Sequence, residues 1–334
     1  MRVIEHFWYR VRPAHLILFP LSLLFRAVAA LRRHAFDAGW LRRHRMPVPV
    51  VVIGNISVGG TGKTPLVLWL VQWLRAHGMH PGIVSRGHGG RGMVQAVTAG
   101  SDPGTAGDEP VLLATRTACP VWIGRRRVDA ARALLAQHPQ VDVLVSDDGL
   151  QHYALARDVE VAVVDGERGF GNGMLLPAGP LREPCSRLRR VDAVVVNGGE
   201  QRKTPAPAHF PMRLVGSRLI NLRDPALDTT PDALAQRTVF AVAGIGNPER
   251  FFAHLRGLGL RIRPQPFPDH HPFVAGDFDA FGDEPVVMTQ KDAVKCRSFA
   301  RENHWYLPVD AQVDDALGQR ILDTIEARHG RQAP

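Results

Sequence analysis

Short, uninterrupted apolar runs recur along this chain, and glycine or a polar residue follows each one. Val48 to Ile53, Val121 to Ile123, Val141 to Val145, Val159 to Val164, Val191 to Val196, Val239 to Ala243, Pro285 to Thr289 and Trp305 to Val309 are the clearest. Runs of this length without alternation read as strands buried on both faces. Helix-periodic segments lie between them: Leu66 to Leu74, Val111 to Ala114, Asp129 to His138, Glu249 to Leu258 and Asp314 to Arg328. Strands alternating with helices predict an α/β fold with a mostly parallel sheet covered on both faces. The polar, proline-rich stretch Gln201 to Pro211 breaks this rhythm and marks a boundary. Beyond it Met212 to Leu222 alternates loosely, as a linker strand does, and a second α/β unit begins at Val239.

The expected organisation follows. An N-terminal helical segment occupies residues 1–31, and a core spans 32–211, completed by a C-terminal helix within 314–334. Linker strands at 212–221 and 308–313 flank a smaller α/β unit at 222–307.

The stretch after the first strand carries the strongest chemical signal. Gly54-Asn55-Ile56-Ser57-Val58-Gly59-Gly60-Thr61-Gly62-Lys63-Thr64 stands between a buried strand and a helix. That is the context of a phosphate-binding loop of the P-loop NTPase type. Ser57, Val58, Gly59, Gly60, Thr61 and Gly62 would turn backbone N–H groups onto phosphate oxygens, helped by the helix N-terminus. Lys63 would reach the β- and γ-phosphates of ATP, and the Thr64 hydroxyl would ligate Mg²⁺. The usual opening glycine is replaced by Ser57, while the Gly-Gly-Thr-Gly-Lys-Thr core is intact. Downstream, the strand Val141 to Val145 ends in Ser146-Asp147-Asp148, the acidic half expected of such a site. Gly107-Asp108-Glu109-Pro110 precedes a helical run, where two acids suit a helix start. Gly87 to Gly92 is a glycine-rich loop with His88 and Arg91, suited to a phosphate or to a plain connection. A nucleotide is expected in the crevice between the two units, with closure completing the site.

Composition narrows the partners. A net charge of +9, carried mostly by arginine, suits an acidic partner such as anionic lipid or a phosphorylated substrate. Aromatic residues are few and form no stacking platform, which argues against nucleic acid. Cys119, Cys185 and Cys296 are odd in number and far apart, which argues for a reducing compartment and against a disulfide framework. The apolar segment Leu16 to Leu31 is interrupted by Pro20 and Arg26. Phe7, Trp8, Tyr9, Arg10 and Arg12 precede it, and Arg32, Arg33, Arg42, Arg43 and Arg45 follow it. Aromatic and basic collars of this kind suit a helix at a membrane interface, where anionic lipid attracts arginine.

Several blocks together resemble the tetraacyldisaccharide 4'-kinase family, the lipid A 4'-kinases of Gram-negative bacteria. They are the phosphate loop with Pro65, then Ser85-Arg86-Gly87, Gly107-Asp108-Glu109-Pro110 and Asp147-Asp148-Gly149-Leu150-Gln151-His152. Phe170-Gly171-Asn172-Gly173, Leu176-Pro177-Ala178-Gly179-Pro180-Leu181-Arg182-Glu183, Asp269-His270 and Lys291-Asp292-Ala293-Val294-Lys295 complete the set. The resemblance implies transfer of the ATP γ-phosphoryl group to the 4'-hydroxyl of a tetraacylated glucosamine disaccharide 1-phosphate, a late step of lipid A biosynthesis. It also implies an enzyme on the cytoplasmic face of the inner membrane; no obligate protein partner is inferred. It assigns Asp108 as catalytic base with His270 as its partner. Glu109 joins Thr64, Asp147 and Asp148 as an expected Mg²⁺ ligand, and Arg86, Asn172 and Arg182 are expected to bind the acceptor. Gln290 stands where the family commonly has Glu, which puts a charge there in question. Asp108 and His270 are far apart in sequence, so only closure of the two units is expected to join them. The competing reading is a P-loop ATPase or GTPase switch acting through a partner protein. A guanine-specific switch should show Asn/Thr-Lys-x-Asp, and Thr289-Gln290-Lys291-Asp292 has its lysine one place late.

Overall fold

The structure is a computed structural model that describes residues 8–9, 15–87, 93–199 and 206–329. Phe7, Arg10 and Arg12 of the expected collar, the loop from His88 to Gly92, residues 201–205 of the expected boundary and residues 330–334 lie outside the described residues.

The fold is α/β with two sheets. The larger has nine strands: β1 (Val50–Gly54), β2 (Pro81–Ser85), β3 (Gln95–Val97), β4 (Val121–Ile123), β5 (Val143–Asp147), β6 (Val159–Asp165), β7 (Ala193–Asn197), β8 (His209–Val215) and β15 (Asp310–Val313). Their order across the sheet is β15-β8-β7-β6-β1-β5-β2-β4-β3. All neighbours are parallel except the two edge pairs, β15 with β8 and β3 with β4. The apolar runs form the interior strands because both faces are covered; β1, β2, β5 and β7 are buried throughout. The helix Lys63–Ala76 lays Leu66, Val67, Leu70, Val71 and Leu74 on one face. The C-terminal helix Asp315–His329 joins the same core through Leu317, Ile321 and Ile325.

The chain leaves β1 toward β2 on one side of the sheet and later builds β6, β7 and β8 on the other. The strand order therefore reverses at β1. Ligands of open α/β sheets bind beyond the carboxyl ends of the strands at such a point. The register aligns those ends: Ile53 is opposite Asp147, and Asp165 is opposite Asn197.

The smaller sheet has six strands: β9 (Leu219–Asn221), β10 (Asp228–Thr229), β11 (Thr238–Ala243), β12 (Arg261–Pro266), β13 (Val286–Thr289) and β14 (His304–Leu307). The helix Pro248–Gly257 opens with proline at its first position, where a missing N–H costs nothing. It covers one face with Phe251, Phe252 and Leu255, while Phe273, Phe278 and Phe281 fill the other. The chain passes between the sheets twice, from β8 to β9 and from β14 to β15. The stretch expected as a single linker strand at 212–221 is thus divided, and β8 belongs to the nine-stranded sheet. Gly216 and Ser217 break it, and β8 instead pairs with β15, Val215 opposite Asp310.

Phe252 is fully buried. Phe252→Ala should therefore lower stability by about 3–5 kcal/mol, read as a shifted midpoint in urea at unchanged slope. A loss below about 1 kcal/mol would show that the helix is not seated on this sheet as described.

Candidate active site

β1 runs straight into the expected phosphate loop, and Lys63 opens the helix behind it. The loop turns at Gly59 and Gly62, with φ of 107° and 95°, conformations that glycine adopts without strain. Two flanks hold it. Val58 N–H donates to the Pro180 carbonyl at 2.8 Å and Arg182 N–H to the Ile56 carbonyl at 2.7 Å, so the Leu176–Glu183 stretch braces one side. On the other, the Asn197 side-chain amide at the end of β7 donates to the Thr61 carbonyl at 3.0 Å.

Lys63 Nζ lies 3.5 Å from Asp148 Oδ1, and Arg182 donates to Asp148 Oδ2 at 3.3 Å. Burial alone would raise the Asp148 carboxyl, but Lys63, Arg182 and Arg127 outweigh it and hold the group at about 2. Asp147, beside it, behaves oppositely. Its burial, reinforced by Glu109 and Asp148, pushes the carboxyl up to about 7. Ser85 Oγ donates to one Asp147 oxygen at 3.3 Å, while Oδ1 has no hydrogen-bond partner among the described residues. An orphaned, buried carboxylate oxygen is costly unless a cation takes it up.

Asp108 and His270 are brought together. Asp108 is the first residue of the helix Asp108–Arg116 and is buried. His270 follows β12, and its Nδ1 lies 3.0 Å from Asp108 Oδ2. The two units already stand in contact here, where sequence separation suggested that only ligand-driven closure would join them. From composition Asp108 suited a helix cap. It does accept the Glu109 N–H at 2.8 Å, but its carboxylate is also aimed at His270. Lys291 gathers the surrounding acids, at 2.9 Å from Glu109, 3.4 Å from Asp269 and 4.0 Å from Asp108. Lys295 lies 3.7 Å from Asp108 and 2.8 Å from Asp292. Burial opposes the charge on Asp108, yet the His270 hydrogen bond and the two lysines bring it down to about 2. The same hydrogen bond raises His270 above its ordinary value, against its partial burial. Among the described residues, the non-glycines with positive φ are Asp148 at 48° and His270 at 59°. Strained backbone of this kind persists where the surroundings over-determine it, commonly at functional sites.

The site opens into a cavity of about 2020 Å³. The phosphate loop, Asp108, Glu109, Asp148 and His270 line it, and so do Arg86 and Arg182. Arg126 and Arg127 add positive charge. Phe25, Val28 and Ala29 of the helix His15–Asp37 form an apolar wall. Asn172 is not among the lining residues: its amide donates to the Ala178 carbonyl at 2.8 Å and accepts from Met174 N–H, fixing its own loop. Gln290 accepts from Arg116 at 2.7 Å, a hydrogen bond that its neutral amide makes without a charge. Asp292 is fully buried, accepting from Gly244 N–H and the Thr289 hydroxyl, so this stretch serves structure and not base recognition. Sequence reasoning gave no role to Asn197 or Lys291. Asn197 ends an apolar strand as Asp147 does, and Lys291 lies in a recognisable block, but neither position names its partner.

The Asp108–His270 pair has a definite pH signature. Asp108, depressed to about 2, contributes stability that is present above its ordinary value near 4 and lost as pH falls toward 2. His270, raised, contributes stability fully present below about 6.5 and lost as pH rises through its folded value. In NMR titration, His270 should show an apparent pKa above that of a free imidazole. Asp108→Asn should abolish the rise; an unchanged His270 titration in that variant would refute the contact.

The family profile described as tetraacyldisaccharide-1-P 4'-kinase matches residues 14–326. The tetraacyldisaccharide 4'-kinase of Azoarcus sp. is 54% identical over 329 residues, covering 97% of this chain and 95% of that protein. The one from Methylobacillus flagellatus is 51% identical over 322 residues, covering 96% and 95%. Among solved structures, the "apo" form of LpxK from Aquifex aeolicus in complex with ATP is similar at a TM-score of 0.78 and 29% identity, covering 93% of this chain and 99% of that one. A match of this extent, on a chain whose phosphate loop and Asp108–His270 pair share one cavity, places the protein in the tetraacyldisaccharide-1-P 4'-kinase family.

Proposed function

We propose that this protein transfers the γ-phosphoryl group of ATP to the 4'-hydroxyl of a tetraacylated disaccharide 1-phosphate held at a membrane surface. The observation that carries the reading is the convergence of Lys63 and the Asp108–His270 pair on one cavity. Phosphoryl transfer asks for positioning and charge stabilisation. Lys63 supplies charge at the phosphates. Asp108 accepts the proton of the attacking hydroxyl, and His270 fixes the carboxylate and shares the proton load. Lys291 helps hold Asp108 and Glu109 charged. Arg86 and Arg182 face the cavity and suit an anionic acceptor. Mg²⁺ would neutralise phosphate charge when bound. Thr64, Asp147, Asp148 and Glu109 are the residues that would hold it, and the orphaned Asp147 oxygen fits that role.

The membrane part of the reading rests on the helix His15–Asp37. Ile17, Leu21, Leu24, Val28 and Leu31 follow one another at helical spacing on an exposed face. The other side is tied down: the Ser22 hydroxyl donates to the Leu175 carbonyl at 2.9 Å, and Arg33 pairs with Glu183 at 3.5 Å. Arg26, Arg32, Arg42 and Arg43 are exposed nearby. No helix among the described residues is long and apolar enough to cross a membrane, so the helix would lie in the interface of the inner membrane's cytoplasmic leaflet.

Lys63→Ala should reduce turnover of ATP and acylated disaccharide 1-phosphate by orders of magnitude. Asp108→Ala and His270→Ala should each lower kcat by roughly 10²–10⁴-fold with modest change in KM. The double variant should be little worse than either single one, because groups acting as a unit fail together. Fully additive losses in a double-mutant cycle would leave His270 a binding or structural residue. For the membrane, Leu24→Glu with Leu31→Glu should cut flotation with anionic vesicles by at least roughly tenfold while leaving the melting temperature unchanged. Undiminished flotation would remove this helix from the membrane contact.

A further inference from the structure

The second sheet touches the phosphate loop at places that take no part in the proton transfer described above. The turn Gly244-Ile245-Gly246-Asn247 leads from β11 into the helix Pro248–Gly257. At Gly246 it meets the loop backbone to backbone: a Cβ there would lie 2.8 Å from the Gly60 nitrogen and 3.5 Å from the Gly59 carbonyl carbon. Any side chain would push the two segments apart. One turn further along, Arg250 extends from the helix toward the carboxyl ends of β6 and β7. Its Nη2 donates to Asp165 Oδ1 at 2.6 Å and reaches the Asn197 carbonyl at 3.5 Å. Asp165 is buried, and the Arg250 side chain is only 20% exposed. Asn197 is the residue whose amide holds the Thr61 carbonyl. The second unit therefore reaches the loop directly at Gly59–Gly60, and again through Arg250, Asn197 and Thr61. Gly246, Asn247 and Arg250 face the same cavity as the loop.

A glycine-rich loop gains phosphate affinity only when its N–H groups are held in the receiving conformation. A free Gly-Gly-Thr-Gly segment would lose more backbone entropy on binding than almost any other sequence. Holding it beforehand lowers that cost. A charge-assisted bond shielded from solvent is strong enough to do so.

We infer that Gly246 and Arg250 clamp the phosphate loop, so that ATP affinity depends on how the second unit is seated on the first. The clamp rests on the kinase reading above and adds two positioning residues to it. By linkage the coupling is reciprocal: bound ATP holds the second unit in place as much as the second unit holds the loop. Weakening the clamp should therefore act on nucleotide binding and spare the acceptor.

The test uses the full chain, with Mg²⁺-ATP binding measured by calorimetry alongside separate KM values for ATP and for the acylated acceptor. Gly246→Val and Arg250→Met should each weaken ATP binding roughly tenfold or more, with acceptor KM within about twofold of wild type. Arg250→Lys, which keeps the charge, should recover part of the loss. Arg250 is partly exposed, so Arg250→Met tests the link even if Gly246→Val does not fold, and thermal melting identifies that case. Wild-type ATP affinity in Arg250→Met overturns the clamp, and so do equal losses toward ATP and acceptor. A wild-type chain that binds no ATP overturns the kinase reading and the clamp with it.

Discussion

Three carboxylates converge where the two sheets meet, and a single ammonium group stands among them. Asp108 and Glu109 come from the first unit and Asp269 from the second, all within 4.0 Å of Lys291 Nζ. Burial alone would raise the Asp108 and Glu109 carboxyls, and the cations beside them outweigh it. The lysine is itself held firmly protonated, its pKa raised well above the ordinary value by Glu109, Asp108 and Asp269 against the penalty of burial. The arrangement spends buried charge on geometry, since an apolar contact of similar size would bind the units as well without orienting anything. It holds the Asp108 carboxylate beside His270.

The sheet supplies the other half of the site. Parallel pairing at the point where strand order reverses brings the ends of β1 and β5 side by side, so the phosphate loop and Asp147 are neighbours by register alone. The contrast between Asp147 and Asp148 follows from one residue of displacement. Asp147 remains within the strand and has lost its water, whereas Asp148 has left it and meets Lys63 and Arg182. Adjacent acids thus differ widely in basicity, the one raised by burial and the other held down by its cations.

Much of this was legible in the sequence because it is local. Buried parallel strands announce themselves as apolar runs, and a phosphate loop needs its glycines, lysine and threonine in one contiguous piece. The pairing of Asp108 with His270 had no such local trace: a carboxylate at a helix start serves equally as a cap, and only the family resemblance joined it to a histidine in the other unit. Asn197, Lys291 and Arg250 went unassigned for the same reason, since their partners lie on other strands and on the other sheet. Asn172 shows the opposite failure. It belongs to a conspicuous glycine-rich block, yet its amide is used up in folding that loop. The divided linker at 212–221 reflects tertiary pairing with β15, which no pattern within that stretch could reveal.

The antiparallel pair of β8 and β15 bears on the order in which the molecule comes into being. β15 and the helix Asp315–His329 complete the nine-stranded sheet and its core, yet they are synthesised after the whole of the smaller sheet. A nascent chain emerging from the ribosome therefore carries a phosphate loop whose supporting layer is still missing its last helix. Domains usually fold as they emerge, but the first unit here cannot do so completely. Its closing contact, Met212 against Val313, spans the entire excursion through the second sheet, and long-range pairing of this kind forms slowly. The layer that supports the phosphate loop is consequently complete only after the whole of the smaller sheet has been made.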